Sequence, residues 1–303
     1  RGRALGVFNV AIPLGAALGV MLGGYLSTNY GGWRTPFFVF AIPGVVLGII
    51  AYFLRDYKTI KSPAQRGTSV KSVIADTIEL LRIPSLRWLF IGYGMHNIMS
   101  FSAMAWGPAL LMRTLKLPES MVGVIIGAIG LFAIIGALLG GWLADAWQKR
   151  NNRGRMLLPA LADPVSAVLS IASLLLLSAF GTVVSLANPY LVAATVMGFL
   201  YGICSVLGMP ALGAVTQDVV HPRLKGISWG MTMFCMYMLG GAWSPFLVGG
   251  LSDYLEGGAS GLLTALIIAA AAGLLGGLCF WLSSRHYPAD RAKVAHFQIE
   301  AEK

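Results

Sequence analysis

Two ionisable side chains of this 303-residue chain, His96 and Asp163, fall well inside long apolar runs. The remaining acids lie in connections, at run ends or in the tail, and so do His221, His286 and His296. A charged group in mid-membrane costs at least about 2.5–3.5 kcal/mol on insertion scales, so each of the two is a candidate for function. His96 follows Arg87 by nine residues, roughly 13 Å along a helix, with Asn97 adjacent and Ser100 one turn later on the same face. Such a patch suits a solute group or a proton, because an imidazole titrates near neutral pH; the plainer alternative is a neutral histidine bonded to a neighbouring helix. Asp163 precedes Pro164, whose missing N–H favours a kink. It is open to two readings, a proton-coupling carboxylate or a structural acid that caps the restarted helix or pairs with an inner-loop arginine. Tyr201 with Ser205, and Tyr237 with Trp243 and Ser244, stand at helical spacings that would line a cavity and stack on an amphipathic solute. Aromatics in membrane helices more often serve as packing or interface anchors. Met231, Met233, Met236 and Met238 make one run soft, which suits a lipid-like ligand and plain packing equally.

The elements that must position these residues are legible in the composition. Hydrophobic residues make up 57% of the chain and charged ones 11%, against about a quarter charged in soluble domains. Eight runs near 5–26, 35–54, 86–111, 122–142, 156–180, 190–215, 227–251 and 261–282 are each long enough for roughly 30 Å of hydrocarbon. They lack the ten-residue alternation of a membrane barrel, so the fold class is all-α, a polytopic membrane helix bundle with eight transmembrane helices. Of 22 Lys and Arg, only Arg34, Arg113 and Lys116 fall near the alternate connections; the rest mark one side. The positive-inside rule makes that side cytoplasmic and puts both ends of the chain there, with the cell's inner membrane as the expected location. This distribution, rather than nucleic-acid binding, accounts for the net charge of +10. Cys204, Cys235 and Cys279 stand singly, without metal or disulfide spacing. Nucleotide-binding loops, HExxH, GxSxG and paired carboxylates in a run are absent, so neither an enzyme nor a cofactor nor a metal is expected. The longest connection, 55–85, holds an amphipathic stretch at Val70–Leu81 suited to the membrane surface. The tail 284–303 loses its hydrophobicity and is expected to fray or lie on the surface. Glycines cluster as Gly15-x-x-x-Gly19-x-x-x-Gly23-Gly24, Gly123-x-x-x-Gly127 and Gly136-x-x-x-Gly140-Gly141, each a device for close helix approach in lipid.

Three segments carry a resemblance. Gly140-Gly141-Trp142-Leu143-Ala144-Asp145-Ala146-Trp147-Gln148-Lys149-Arg150 resembles the Gly-x-x-x-Asp-x-x-Gly-basic-basic loop of the major facilitator superfamily. Ala146 stands where Arg is frequent and Gln148 where Gly is frequent, which implies a weakened turn and charge latch. Gly15 to Gly24 resembles the glycine motif of that superfamily's fifth helix, with Val20 in place of its usual Pro, and Gly32-Trp33-Arg34-Thr35-Pro36-Phe37 resembles the entrance to its sixth. Met209-Pro210, the stretch Gln217 to Gly226, Gly240 to Asp253, and Trp106 to Leu111 resemble the Spinster-like branch.

The resemblance implies that the eight runs are helices five to twelve of a twelve-helix carrier whose first four precede Arg1. Residues 1–54 would then end the N-terminal half, 55–85 form the cytoplasmic central loop, 86–283 the C-terminal half and 284–303 a cytoplasmic tail. It implies a secondary transporter that moves a small organic or lysolipid-like solute by alternating access, coupled to protons or another ion and monomeric at full length. It places the run of His96 on the cavity and that of Asp163 at the periphery, favouring the structural reading of the acid. The loop residues Gly141, Asp145, Lys149 and Arg150 would hold one transport state closed by docking near Arg3–Leu5. The competing expectation is a membrane binding or scaffold protein, or an inactive fragment, that transports nothing.

Overall fold

The computed structural model describes residues 2–30, 32–53, 70–179, 188–255 and 257–301, with side chains from 14 to 294 apart from 70 and 71 and the intervening gaps. The described residues form helices α1 (Gly2–Asn29), α2 (Thr35–Tyr52), α3 (Val70–Leu81), α4 (Pro84–Leu115), α5 (Glu119–Arg150) and α6 (Gly154–Ser178). They continue with α7 (Pro189–Leu207), α8 (Met209–Asp218), α9 (Lys225–Met236), α10 (Ser244–Tyr254) and α11 (Gly258–Ala301). Among the described residues six helical segments are long and apolar enough to cross a membrane: α2, α5, α6, α7 with α8, α9 with α10, and α11. The 28-residue α1 and 32-residue α4 match them in length. In α4 the polar content, His96, Asn97 and several serines, dilutes the apolar character.

Two expected single spans are broken. The run 190–215 divides at Gly208, followed by Pro210, which lacks the N–H that a continuous helix needs. The run 227–251 contains a π-helical turn, Tyr237–Gly241, at which a Cβ on Gly240 would collide with the Gly94 carbonyl of α4. The tail does not fray at Ser284. α11 continues unbroken, and Ser284, Tyr287 and Asp290 are buried. Asp290 explains why: its Oδ2 accepts from the backbone N–H (3.1 Å) and hydroxyl (2.8 Å) of Ser85, while the Ser283 hydroxyl donates to the Ser85 carbonyl at 2.7 Å. The first turn of α4 has unpaired N–H groups, and a carboxylate there also meets the positive helix terminus. The polar tail thus caps another helix.

Packing follows the small residues. α11 packs most extensively on α4 and α6, and α1 on α5. Along α5, a Cβ on Gly123 would stand 2.9 Å from the Val20 carbonyl of α1, and one on Gly140 would meet the Leu207 carbonyl of α7, so the two glycine pairs serve different neighbours. A Cβ on Gly15, Gly19 or Gly23 of α1 would meet nothing among the described residues; Ala17, Val20, Met21 and Gly24 form the face that packs on α5 instead. α2 is almost wholly exposed. α3 turns Leu80 into the core and leaves Ile74, Ile78 and Leu81 outside, as an amphipathic helix should, and Glu79 accepts from Arg223 at 2.5 Å. One large apolar cluster, around Leu86, Phe90, Met156, Leu212, Phe280 and Tyr287, closes the end of the bundle that carries the basic connections. A second, around Leu110, Leu177, Val248, Leu262 and Leu266, closes the other.

Candidate functional site

Between these clusters α4, α6 and α11 meet around a buried polar pair. His96 Nδ1 lies 2.5 Å from Asp163 Oδ1, and both residues are 4% exposed. On the other side of the ring, Nε2 is 3.1 Å from the Ser100 hydroxyl. With the imidazole neutral and its proton on Nδ1, it donates to Asp163 and accepts from Ser100; a pair that takes up one further proton can hold it as imidazolium with carboxylate or as neutral imidazole with carboxylic acid.

The pair exists because α11 comes close. A Cβ on Gly276 would collide with Asp163 Oδ2, and one on Gly277 would collide with the ring of Pro164. Gly273 faces Met99 and Ala167 in the same way. The sequence signal for this crossing was Gly273-x-x-Gly276-Gly277, which the reading of the glycine clusters passed over. Asp163 therefore neither sits at the periphery nor pairs with an inner-loop arginine, the expected arrangements; nor does it cap a restarted helix, since α6 runs unbroken through Pro164, and the Ser166 hydroxyl donates to the Asp163 carbonyl within it at 2.8 Å. Among the described residues Asp163 Oδ2 has no hydrogen-bond partner.

Two cavities flank the pair. The larger, of about 410 Å³, is lined by α1, α4, α5, α6, α7 and α11. Ser100, Tyr201 and Ser205 lie at its end nearest His96, and its walls, among them Leu110, Ile126, Ala133, Leu174 and Leu266, are apolar. Its volume lies within the roughly 300–1,000 Å³ typical of ligand pockets. The smaller, of about 10 Å³, lies between Asp163, Cys204, Ser205, Gly208, Leu212 and Phe280. Ser205 lines both.

His96, Ser100, Asp163, Tyr201 and Ser205 are thus brought together. Asn97 is not part of the group: its side chain donates to the Tyr93 carbonyl of its own helix at 2.8 Å, and it stands against Gly240. Tyr237 and Trp243 are exposed and line neither cavity, and Ser244 is buried elsewhere. Among the described residues no cluster of three His, Cys, Asp or Glu could hold a metal ion.

The loop motif has a different partner from the one expected. Asp145 Oδ1 accepts from Arg155 Nη2 at 2.7 Å and Nε at 3.2 Å, and Arg155 Nη1 reaches Asp218 Oδ2 at 2.6 Å, which also accepts from the Tyr287 hydroxyl at 2.8 Å. Arg155 so supplies the guanidinium that Ala146 cannot. Gln148 does not weaken the turn: it donates to the Asn152 carbonyl at 3.0 Å and accepts from the Arg155 N–H at 3.0 Å, bridging the end of α5 and the start of α6. Gly141 lies against Pro210, and Lys149 and Arg150 form the exposed, basic last turn of α5. The side chains of Arg3–Leu5, the expected docking point, lie outside the described residues.

Residues 1–245 match the family model of the Major Facilitator Superfamily. The chain belongs to that superfamily. It is 29% identical over 294 residues to an MFS-type efflux pump of Mycolicibacterium smegmatis, covering 96% of this chain and 65% of that protein. It is 26% identical to protein spinster homolog 1 of Xenopus tropicalis over 98% of this chain and 59% of the relative. A probable sphingolipid transporter, spinster homolog 1 of Arabidopsis thaliana, is 25% identical over 92% and 60%. The chain therefore spans about three fifths to two thirds of these relatives' lengths. Its fold matches a bacterial homologue of the human lysosomal transporter Spinster, crystallised inward-facing and unoccupied, with a TM-score of 0.71 and 17% identity over 96% of this chain and 72% of that one. The inward-facing occupied form matches with a TM-score of 0.70. The superfamily and these relatives point to a transporter rather than an enzyme, built as an all-helical bundle integral to a membrane.

Proposed function

We propose that the protein is a secondary transporter that moves a small, amphipathic, lysolipid-like solute by alternating access, coupled to protons through His96 and Asp163. The observation that carries this reading is the pairing itself: a hydrogen-bonded imidazole and carboxylate, both buried, stand behind Ser100, which lines the polar end of a 410 Å³ apolar cavity and lies 3.1 Å from the imidazole. A buried carboxylate held by a single hydrogen-bonded imidazole is costly to keep for stability alone, and hydrophobic replacements of buried charged networks are often neutral or stabilising. A pair that exchanges a proton with the solute's surroundings has a use that repays the cost.

The cavity supports the solute class. Ser100, Tyr201 and Ser205 offer hydroxyls at one end, and the walls beyond offer hydrocarbon, the distribution that a single-chain amphiphile presents in reverse. The name of the Arabidopsis relative, a probable sphingolipid transporter, agrees with a lipid-like cargo. On this reading the ends of the chain and the basic loops face the cytoplasm, by the positive-inside rule.

The test is uptake of radiolabelled lysophosphatidylcholine by proteoliposomes that contain the full-length gene product. Uptake should rise when a pH gradient is imposed, and His96→Gln and Asp163→Asn should each remove that response. Uptake indifferent to the gradient would sink the coupling, and uptake of small sugars in preference to the lysolipid would sink the solute class.

A further inference from the structure

Resting on the reading of His96 and Asp163 as a proton site, we propose that the smaller cavity is a one-water proton antechamber. Through it Asp163 exchanges its proton with the basic end of the bundle, separately from the solute cavity on the other side of Ser205.

Four observations meet here. Asp163 Oδ2 is buried and unpartnered, while its sister oxygen is taken by His96. An unsatisfied buried carboxylate oxygen is costly, which makes a polar neighbour for it worth having. The adjoining space, of about 10 Å³, has room for one water by the usual threshold of about 10–15 Å³. Ser205, on its wall, donates its hydroxyl to the Gly202 carbonyl at 3.1 Å and so keeps lone pairs to accept with. A water that donates one hydrogen to Oδ2 and one to Ser205 satisfies both, and it is the smallest unit able to pass a proton.

The position of the chamber gives it direction. Its wall includes Pro159, one turn nearer the start of α6 than Asp163, and Gly208 with Met209 and Leu212, where α7 breaks and α8 begins. That break points toward Asp218 and Arg155, at the basic end. The solute cavity runs the other way, toward Leu110 and Leu177. No lysine or arginine lines either space. Besides His96 and Asp163, the titratable side chains lining the two spaces are Tyr201 and Cys204 on α7, groups ordinarily uncharged near neutral pH; the charged residues of α4, α6 and α11, among them Arg87, Arg155 and Asp290, stand at the helix ends, outside both linings. Within this setting His96 and Asp163 alone carry the proton.

The route is tested without any solute. Infrared-detected hydrogen–deuterium exchange follows the protonated Asp163 carboxyl in the reconstituted full-length protein, the band being assigned by its loss in Asp163→Asn. Ala162→Val, which places methyl groups in the chamber, and Ser205→Ala, which removes the second partner of the water, should each slow exchange about tenfold or more. Ala103→Phe, which fills the solute cavity, should leave the rate unchanged. Melting temperatures identify a variant that has lost its fold, and Ser205→Ala carries the test if Ala162→Val does so. Exchange slowed by Ala103→Phe alone, or by none of the three, overturns the antechamber while leaving the proton site in place. A carboxyl that shows no protonated form across the pH range removes the proton site itself, and the antechamber with it.

Discussion

Removing His96 should cost more stability than removing His96 and the charge of Asp163 together. In the native protein the carboxylate is 4% exposed, its Oδ1 bonded to the imidazole and its Oδ2 to no protein group. His96→Ala strips the sole protein partner and leaves a buried, unpaired charge. Breaking a buried pair on one side costs about 3–5 kcal/mol, against about 1 kcal/mol net for an ordinary neutral hydrogen bond. Asp163→Asn keeps the volume and lets the amide oxygen accept from Nδ1, so the loss there is about 1–2 kcal/mol, the difference between a charge-assisted and a neutral bond. In the double variant His96→Ala/Asp163→Asn nothing charged remains to desolvate. It should be more stable than His96→Ala alone, by about 1–3 kcal/mol, despite carrying one more substitution. The assay is thermal unfolding of the purified protein at neutral pH, for wild type, both singles and the double, analysed as a double-mutant cycle. A double variant whose loss equals the sum of the singles would refute the argument, because two side chains 2.5 Å apart in one network cannot be independent.

Two further outcomes follow from the basic end. Arg155 bridges an exposed carboxylate, Asp145, and a more buried one, Asp218, with side-chain exposures of 64% and 25%; Asp218→Asn should cost about 1–2 kcal/mol in unfolding measurements and Asp145→Asn under about 1 kcal/mol, and the reverse order would contradict the geometry. Asp290→Ala should destabilise by about 1–2 kcal/mol, the value of a helix cap, and should raise amide exchange in the first turn of α4 around Ser85, where a merely exposed tail would change neither.

The all-helical membrane bundle was legible because membrane insertion is a physics of apolar runs, each read locally. His96 and Asp163 were legible as individuals for the same reason: an ionisable group in an apolar run is anomalous by itself. Their pairing was not, since 67 residues separate them and the contact depends on α11, where Gly276 and Gly277 lack the atoms that would hold the helices apart. Arg155 was read as one of many basic loop residues. Only the turn made by Gln148 and Gly154 swings it back over Asp145, and a resemblance in which Gln148 counted as a departure pointed away from that turn.

Glycine shows why pattern alone stops short of the site. Gly123-x-x-x-Gly127 and Gly15-x-x-x-Gly19 carry the same motif, yet the first meets α1 at van der Waals range and the second meets nothing among the described residues. A missing Cβ has two opposite uses in lipid: it lets a neighbour in, or it leaves room. Gly276 is of the first kind and makes the polar pair. Gly107, where a Cβ would find only the tip of Ile126 at 3.9 Å, is of the second, and the volume it leaves belongs to the solute cavity. Which use applies is settled by the neighbour's position, so the residues that build the pair and those that build the cavity read alike in sequence and separate only in the fold.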